Sequence, residues 1–459
     1  MFIIIDWFNR NKPKERVNAV GPVRDLAADW QPLVIASQSL IICPQLAERE
    51  PLLSLLPLLG ELAAAESCPA RAVRLAARAT AAVLAADPGG GLDQALIDAL
   101  LDTRLCLPDA GPALRRAAAH DLEILRELAS LPFQAVRSRL VRMAVAGGDT
   151  RLASWIDRLP GWESGSAGPE TVCLPGRVRM AGRLRERRLV AGGWAALLPE
   201  LMDFYRSEGP GPFNRAAALA WEGADFAPLD LREALPWEAL LDYDGRLAQL
   251  DANIRRFCCG GTAQDMLLTG PRGTGKSTAV RALGSRHADT GLRLVELPAR
   301  RVAELPLLIR RLPPRPLATL IVIDDLVLER ESAAFGALKT VLEGGLEPRP
   351  ENVLLCVTSN RRHLLRESQH EGADALFAED ERDERLSLAE RFGLILPFRP
   401  PTQAVYLDLV RHLAAFWGIE VDADLIERAM VWSQRRQSRS PRAAEQFLRE
   451  ERARGAAKL

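Results

Sequence analysis

The stretch Met266-Leu-Leu-Thr-Gly-Pro-Arg-Gly-Thr-Gly-Lys-Ser277 limits what this chain can fold into more than any other. Met266 to Thr269 reads as a short buried strand, and Thr278 to His287 as the helix that follows. Between them Gly270-Pro271-Arg272-Gly273-Thr274-Gly275-Lys276-Ser277 satisfies G-x-x-x-x-G-K-S/T at every fixed position. Glycines let backbone N–H groups curl around phosphate oxygens, and a helix N-terminus adds partial positive charge. Lys276 is placed to reach the β- and γ-phosphates, and the Ser277 hydroxyl to ligate Mg²⁺. Only five of the 60 basic residues are lysine, and one of them occupies the phosphate position. The expected ligands are ATP and Mg²⁺, with Gly270 to Thr278 as the binding set.

The rest of the composition excludes more than it identifies. With 459 residues the chain can hold two to four domains. Net charge is zero, so no global field recruits nucleic acid or a membrane surface. Seven scattered cysteines and five dispersed histidines form no zinc pattern, and reduced, buried cysteines are expected. The N-terminus lacks a basic, then apolar, signal-peptide pattern, and the apolar run 51–65 is too short for a membrane span. The expectation is a cytoplasmic protein with no membrane contact.

Residues 1–30 read as a loose polar arm. From about residue 32 to 159, segments such as 70–86, 92–105, 113–131 and 133–146 carry apolar residues at three- and four-residue spacing, punctuated by Pro and Gly. These are amphipathic helices with Arg-rich polar faces, and solvated faces are the simplest account of those arginines. Residues 160–176 are small and polar, as in a linker. Residues 172–190 fit a hairpin or a helix, and 194–206 a helix. After the phosphate loop, strands are expected at 292–297, 317–324, 352–359 and 394–398, with helices at 301–312 and 333–343 between them. Near-continuous apolar runs suit parallel strands buried on both faces. Three amphipathic stretches follow, 403–417, 422–434 and 441–452.

Four further signals carry chemistry. Leu320-Ile-Val-Ile-Asp324-Asp325 ends a buried strand in two carboxylates. Asp324 is expected to organise Mg²⁺ and Asp325 to orient or activate water. Thr358-Ser359-Asn360 ends the next strand, where Asn360 can hold the attacking water. Glu390-Arg391-Phe392-Gly393 precedes the last strand, and Ser440-Pro441-Arg442 opens the third lid stretch. An arginine near a γ-phosphate stabilises transferring charge.

This ordered set resembles an AAA+ ATPase. More narrowly, residues 338–353 and Thr358-Ser-Asn-Arg-Arg-His-Leu-Leu365 resemble an uncharacterised bacterial AAA+ family, over about residues 211–450. The resemblance implies an α/β module with a parallel five-stranded sheet flanked by helices, a C-terminal helical lid, and a mainly α-helical N-terminal domain before it. The divisions expected are 1–160 helical, 161–212 linker and connecting elements, 213–400 ATPase core and 401–459 lid. It implies sensor roles for Asn360 and Arg442, an arginine-finger role for Arg391, and hence a homo-oligomer. Leu241-Asp-Tyr243 matches the segment lining the adenine pocket. Many relatives carry Glu where this chain has Asp325. Residues 298–316 lack the aromatic loop of polypeptide-threading relatives, and 361–385 reads as an acidic insertion. The leading expectation is ATP hydrolysis that remodels or moves a protein partner. A nucleic-acid loader is less favoured, for want of net charge and a helix-turn-helix. An ATP-binding switch with little turnover is the third reading.

Overall fold

The computed structural model describes residues 30–37, 39–40, 44–64, 67–86, 91–103, 111–162, 174–231, 235–313, 317–327, 332–344, 348–360 and 388–456. The arm at 1–29, most of the expected linker and the acidic insertion at 361–385 lie outside these residues. The chain divides into two compact units. One comprises 1–100, 109–169 and 181–199, and the other 101–108, 170–180 and 200–459.

The first unit is built from helices that include Leu52–Ala63, Pro69–Ala86, Pro112–Ala129 and Phe133–Ala146. Helix Pro69–Ala86 buries Ala72, Val73, Ala76, Ala79, Thr80 and Val83, the three- and four-residue spacing read from its sequence. The small alanines bring its backbone close to its neighbours, while Arg71, Arg74 and Arg78 stay exposed. Pro132 and Asp149 sit at the N-caps of the two helices that follow Ala129, and the Asp149 carboxylate accepts from Leu152 N–H at 2.9 Å. Trp194 is fully buried and donates from Nε1 to Leu184 O at 2.8 Å. Glu123 accepts the backbone N–H groups of Gly192, Trp194 and Ala195 at 2.9, 3.2 and 3.1 Å, which fixes that tryptophan's turn.

The second unit contains a sheet. In chain order its strands are β1 Ala218–Trp221, β2 Phe226–Leu229, β3 Met266–Thr269, β4 Leu292–Glu296, β5 Ala318–Ile323, β6 Val353–Ser359 and β7 Leu394–Pro397. The spatial order is β2-β1-β4-β5-β6-β3-β7. The sequence predicts five strands, and among the described residues there are seven. The expected five, β4-β5-β6-β3-β7, are contiguous and parallel. β1 adds in parallel beside β4, and β2 closes that edge antiparallel to β1. The extra pair escapes pattern reading because β2 holds Pro228 and has no fully buried position, both of which an edge strand tolerates. β3, β5 and β6 are buried at every position, as their continuous apolar runs require.

The sheet buries two apolar faces, one around Val295, Ile321 and Val357 and the other around Leu294, Val322 and Cys356. Among the described residues the strands hold one fully buried charge. Arg293 on β4 is 0% exposed, paired to Glu208 at 2.6 Å and donating to Phe213 O at 2.6 Å. The segment 301–312, expected as one helix, is a 3₁₀ turn at Ala299–Glu304 followed by helix Leu305–Arg311. Pro306 explains the break, since it fits the first turn of a helix and not its interior. Residues 175–187 form a helix, which settles the alternative left at 172–190, and 194–206 is split into helices Gly193–Ala196 and Leu198–Glu208. The cysteine expectation needs correction: Cys356 is buried, but Cys258 is half-buried and Cys68 and Cys259 are exposed.

Helices Gln403–Phe416, Ala423–Arg435 and Pro441–Ala456 pack around Tyr406, Val410, Phe447 and Leu448 as a separate small core, the lid. Thr402 and Asp422 cap the first two through their side chains. No helix among the described residues is long and apolar enough to cross a membrane.

Candidate functional site

Strand register brings the chemistry together. Thr269 pairs with Ser359, so β3 and β6 end level, and Ile323 pairs with Val357, so Asp324-Asp325 follow β5 beside the last residues of β6. Gly270 N–H donates to Ser359 O at 3.1 Å and Leu326 N–H to Thr358 O at 2.8 Å, which extends the pairing past the strand ends. The phosphate loop, Asp324-Asp325 and Thr358-Ser359-Asn360 therefore share the carboxyl edge of a parallel sheet, the usual place for a ligand in such folds.

The loop has the backbone that its glycines permit. Gly270, Gly273 and Gly275 take φ values of 142°, 80° and 95°, and helix Lys276–Arg286 starts directly after. A Cβ on Gly270 would lie 2.0 Å from Phe398 O, so no other residue fits there. Lys276 is 6% exposed. Its Nζ donates to Gly270 O at 2.6 Å, Pro271 O at 3.0 Å and Asn360 Oδ1 at 3.0 Å. Burial lowers its pKa, while Asp324 and Asp325 pull it back up. Ser277 Oγ donates to Asp324 Oδ1 at 2.7 Å, and Thr358 Oγ1 donates to the same oxygen at 2.5 Å. Thr358 Oγ1 also accepts from Asp325 N–H at 2.9 Å. Asp325 has φ 54° and is half-exposed. Its carboxylate accepts from Arg272 Nη2 at 3.2 Å and from Asn360 Nδ2.

These groups line a cavity of about 470 Å³, within the range of small-ligand sites. Gly273 to Ser277 and Thr278 form one wall, Asp324, Asp325 and Asn360 another, and lid residues Leu409, Leu413 and Arg442 a third. Tyr243 lines the apolar end with Leu240 and Leu241, and burial raises its phenol pKa. Gly270 and Pro271, expected in the binding set, are not on the cavity wall, and their carbonyls accept from Lys276 Nζ instead. A second cavity of about 370 Å³ shares Ser277, Arg281 and Asp324 with the first.

The residues fit a metal-bound triphosphate. Glycine N–H groups and a helix N-terminus face the cavity, a buried lysine supplies charge, and a hydroxyl beside a carboxylate offers hard oxygen ligands of the kind Mg²⁺ takes. One expected residue stays apart. Arg391 is not on the cavity wall, and its Nη2 pairs with Glu343 at 2.8 Å, both side chains about one-third exposed.

Two residues went unassigned in the sequence. Thr358 joins the two carboxylate positions, although only Asn360 of its tripeptide drew attention. Arg246, 6% exposed, stacks between Tyr243 at 5.0 Å and Phe398 at 4.6 Å and donates to Pro397 O at 2.6 Å. No local motif marks an arginine whose role is to fix the aromatic wall of a pocket from the start of a helix.

Among solved structures, a RuvB mutant of Thermotoga maritima is similar over 50% of this chain and 68% of its own, at 18% identity and a TM-score of 0.35. AMPPCP-bound DnaA from Aquifex aeolicus is similar over 47% of this chain and 64% of its own, at 14% identity and a TM-score of 0.31. No curated protein matches the chain. The profile of the family described as "Protein of unknown function (DUF815)" matches residues 214–455, more than half of the chain. The chain belongs to the DUF815 family, and its P-loop, parallel sheet and helical lid are the features expected of an AAA+ module.

Proposed function

We propose that this chain binds Mg-ATP in the 470 Å³ cavity and hydrolyses it, and that the first, helical unit selects a protein partner on which the cycle acts. The observation that carries the reading is the convergence of Lys276, Ser277, Asp324, Asp325, Asn360 and Arg442 on one cavity from four separate segments of sequence. Mg²⁺ would supply charge neutralisation between phosphate oxygens. Ser277 and Asp324 would hold it, already joined at 2.7 Å. Lys276 would neutralise phosphate charge. Asp325 would orient and deprotonate water, with Asn360 as its neighbour. Arg442, from the lid, would report the nucleotide to the lid core. Arg391 would serve the cavity of a second copy, which makes the working form a homo-oligomer.

Asp325→Asn tests this directly. The amide keeps the shape but cannot take a proton, and its NH2 gives up one of the two hydrogen bonds that the carboxylate accepts. Turnover should fall by about a hundredfold or more while Mg-ATP affinity holds. If the variant turned over at the wild-type rate, Asp325 would leave the mechanism. If wild type bound Mg-ATP tightly without turnover, the chain would be a nucleotide switch.

A further inference from the structure

Arg272 occupies a variable position of the phosphate-loop pattern, where the backbone alone is asked to meet phosphate. Its side chain is 83% exposed, yet Nη2 lies 3.2 Å from Asp325 Oδ2. The other oxygen, Oδ1, accepts from Asn360 Nδ2, and the Asn360 carbonyl oxygen accepts from Lys276 Nζ at 3.0 Å. A chain of contacts thus runs Arg272–Asp325–Asn360–Lys276, beginning and ending in the loop.

The backbone shows why Asp325 needs this help. Its φ of 54° is left-handed, a conformation that side chains other than Gly, Asn and Asp seldom adopt. Its N–H is pinned to Thr358 Oγ1 at 2.9 Å. The side chain is one methylene shorter than glutamate and leaves from an uncommon backbone angle, so its direction is set by the two donors that grip its oxygens. Conformations of this kind persist where the surroundings over-determine them. Asn360 holds one oxygen from just past β6, and Arg272 holds the other from across the cavity.

We propose that Arg272 is a positioning residue that aims the Asp325 carboxylate, so that the loop receiving the phosphates also sets the direction of the base. The inference rests on the reading of this cavity as an ATP-hydrolysing site. An ion pair this exposed contributes little to folding, so its removal reports on chemistry.

The test uses the full chain and three variants: Arg272→Ala, Arg272→Lys, and Arg272→Ala combined with Asp325→Asn. For each, kcat and KM for Mg-ATP are measured, with the affinity for a fluorescent ADP analogue. Arg272→Ala should lower kcat by about 10- to 100-fold, the usual effect of a misplaced catalytic group. ADP affinity should hold within about threefold, as expected when only the aim of the base is lost. Arg272→Lys keeps the charge without the planar fork, and should recover part of kcat. In the Asp325→Asn background, Arg272→Ala should change the residual rate less than about twofold, because no carboxylate remains to be aimed. Three results would overturn the inference: Arg272→Ala with wild-type kcat, a fall in ADP affinity as large as the fall in kcat, or an undiminished effect in the Asp325→Asn background. Each would leave the hydrolytic reading standing. A wild-type chain without turnover, or Asp325→Asn with full turnover, would end that reading and this inference together.

Discussion

The two compact units use the same residue types to opposite ends. In the helical unit a half-buried charge serves the backbone: Glu123 collects three N–H groups to fix the turn that carries Trp194. In the sheet unit polar groups bind one another across a cavity, and Thr358, Asp324, Asp325, Asn360 and Lys276 meet where three strands end. A helix buries a stripe and lets its polar residues fan out to solvent, so its chemistry disperses. Parallel strands bury both faces and end side by side, so the first polar residues beyond each strand are forced together. With the proposed function, the difference places stability in one unit and reactivity in the other, and each claim can be broken.

The largest effect should come from Arg391, which tests whether the reactive unit is complete within one chain. An arginine supplied in trans is worth about a thousandfold or more in rate. Arg391→Ala should therefore bind ATP normally and hydrolyse it poorly, and specific activity should rise with protein concentration. Leaving Glu343 is no obstacle, since a pair one-third exposed is held weakly. Mixing Arg391→Ala with Asp325→Asn should restore part of the activity, because a good arginine then faces a good carboxylate. A chain that stays monomeric with ATP and shows a concentration-independent rate would make Arg391 a structural residue.

The helical unit should break differently. Trp194→Ala removes a fully buried indole and its hydrogen bond to Leu184 O, at a cost of about 3–5 kcal/mol. Thermal or urea unfolding measures this. Nucleotide affinity below the new transition should stay within about threefold if stability and reactivity are separable, since Trp194 lines neither described cavity. An equal loss of affinity would join what the comparison separates.

Lys276→Ala is the converse. It should weaken Mg-ATP binding by about one to two orders of magnitude, the worth of charge-assisted hydrogen bonds to an anion. The melting temperature should fall little, because the lysine's three acceptors are loop carbonyls and an amide at a solvent-facing edge. Unchanged affinity would remove the phosphate-loop assignment.

The sequence made some of this legible for physical reasons. β3 and helix 333–343 match their expected bounds because an apolar run and a capped, Gly-terminated period are local signals. The loop, Asp324, Asp325 and Asn360 were readable because each stands at a strand end, a position that spacing reveals. What was hidden depends on partners distant in sequence. The β1–β2 edge is written in two weak tetrapeptides. The Arg246 stack needs Phe398, and the grip of Arg272 on Asp325 spans the cavity. The exposure of Cys68 and Cys259 depends on packing around them, which composition does not encode.

The smallest effect is a pH dependence, and it reports on the border between the two roles. Lys276 is buried like a core residue but must be charged to act. Burial lowers its pKa below the ordinary lysine value, only partly offset by Asp324 and Asp325, and Arg272 lowers it further. Phosphate oxygens beside the ammonium would raise that pKa again, so the bound state keeps a proton that the free state gives up first. Affinity for a fluorescent ADP analogue should therefore be full below the lowered pKa, fall as pH rises through it, and level off above the raised one. The fall is tenfold for each pKa unit separating the two states. Burial moves the Tyr243 ionisation the other way, upward from the ordinary phenol value. Lys276→Arg, which stays charged throughout, should bind less well near neutrality yet lose the alkaline limb. A flat wild-type profile, or the same limb in Lys276→Arg, would show that Lys276 does not give up its proton in this range, and that burial has cost its charge nothing.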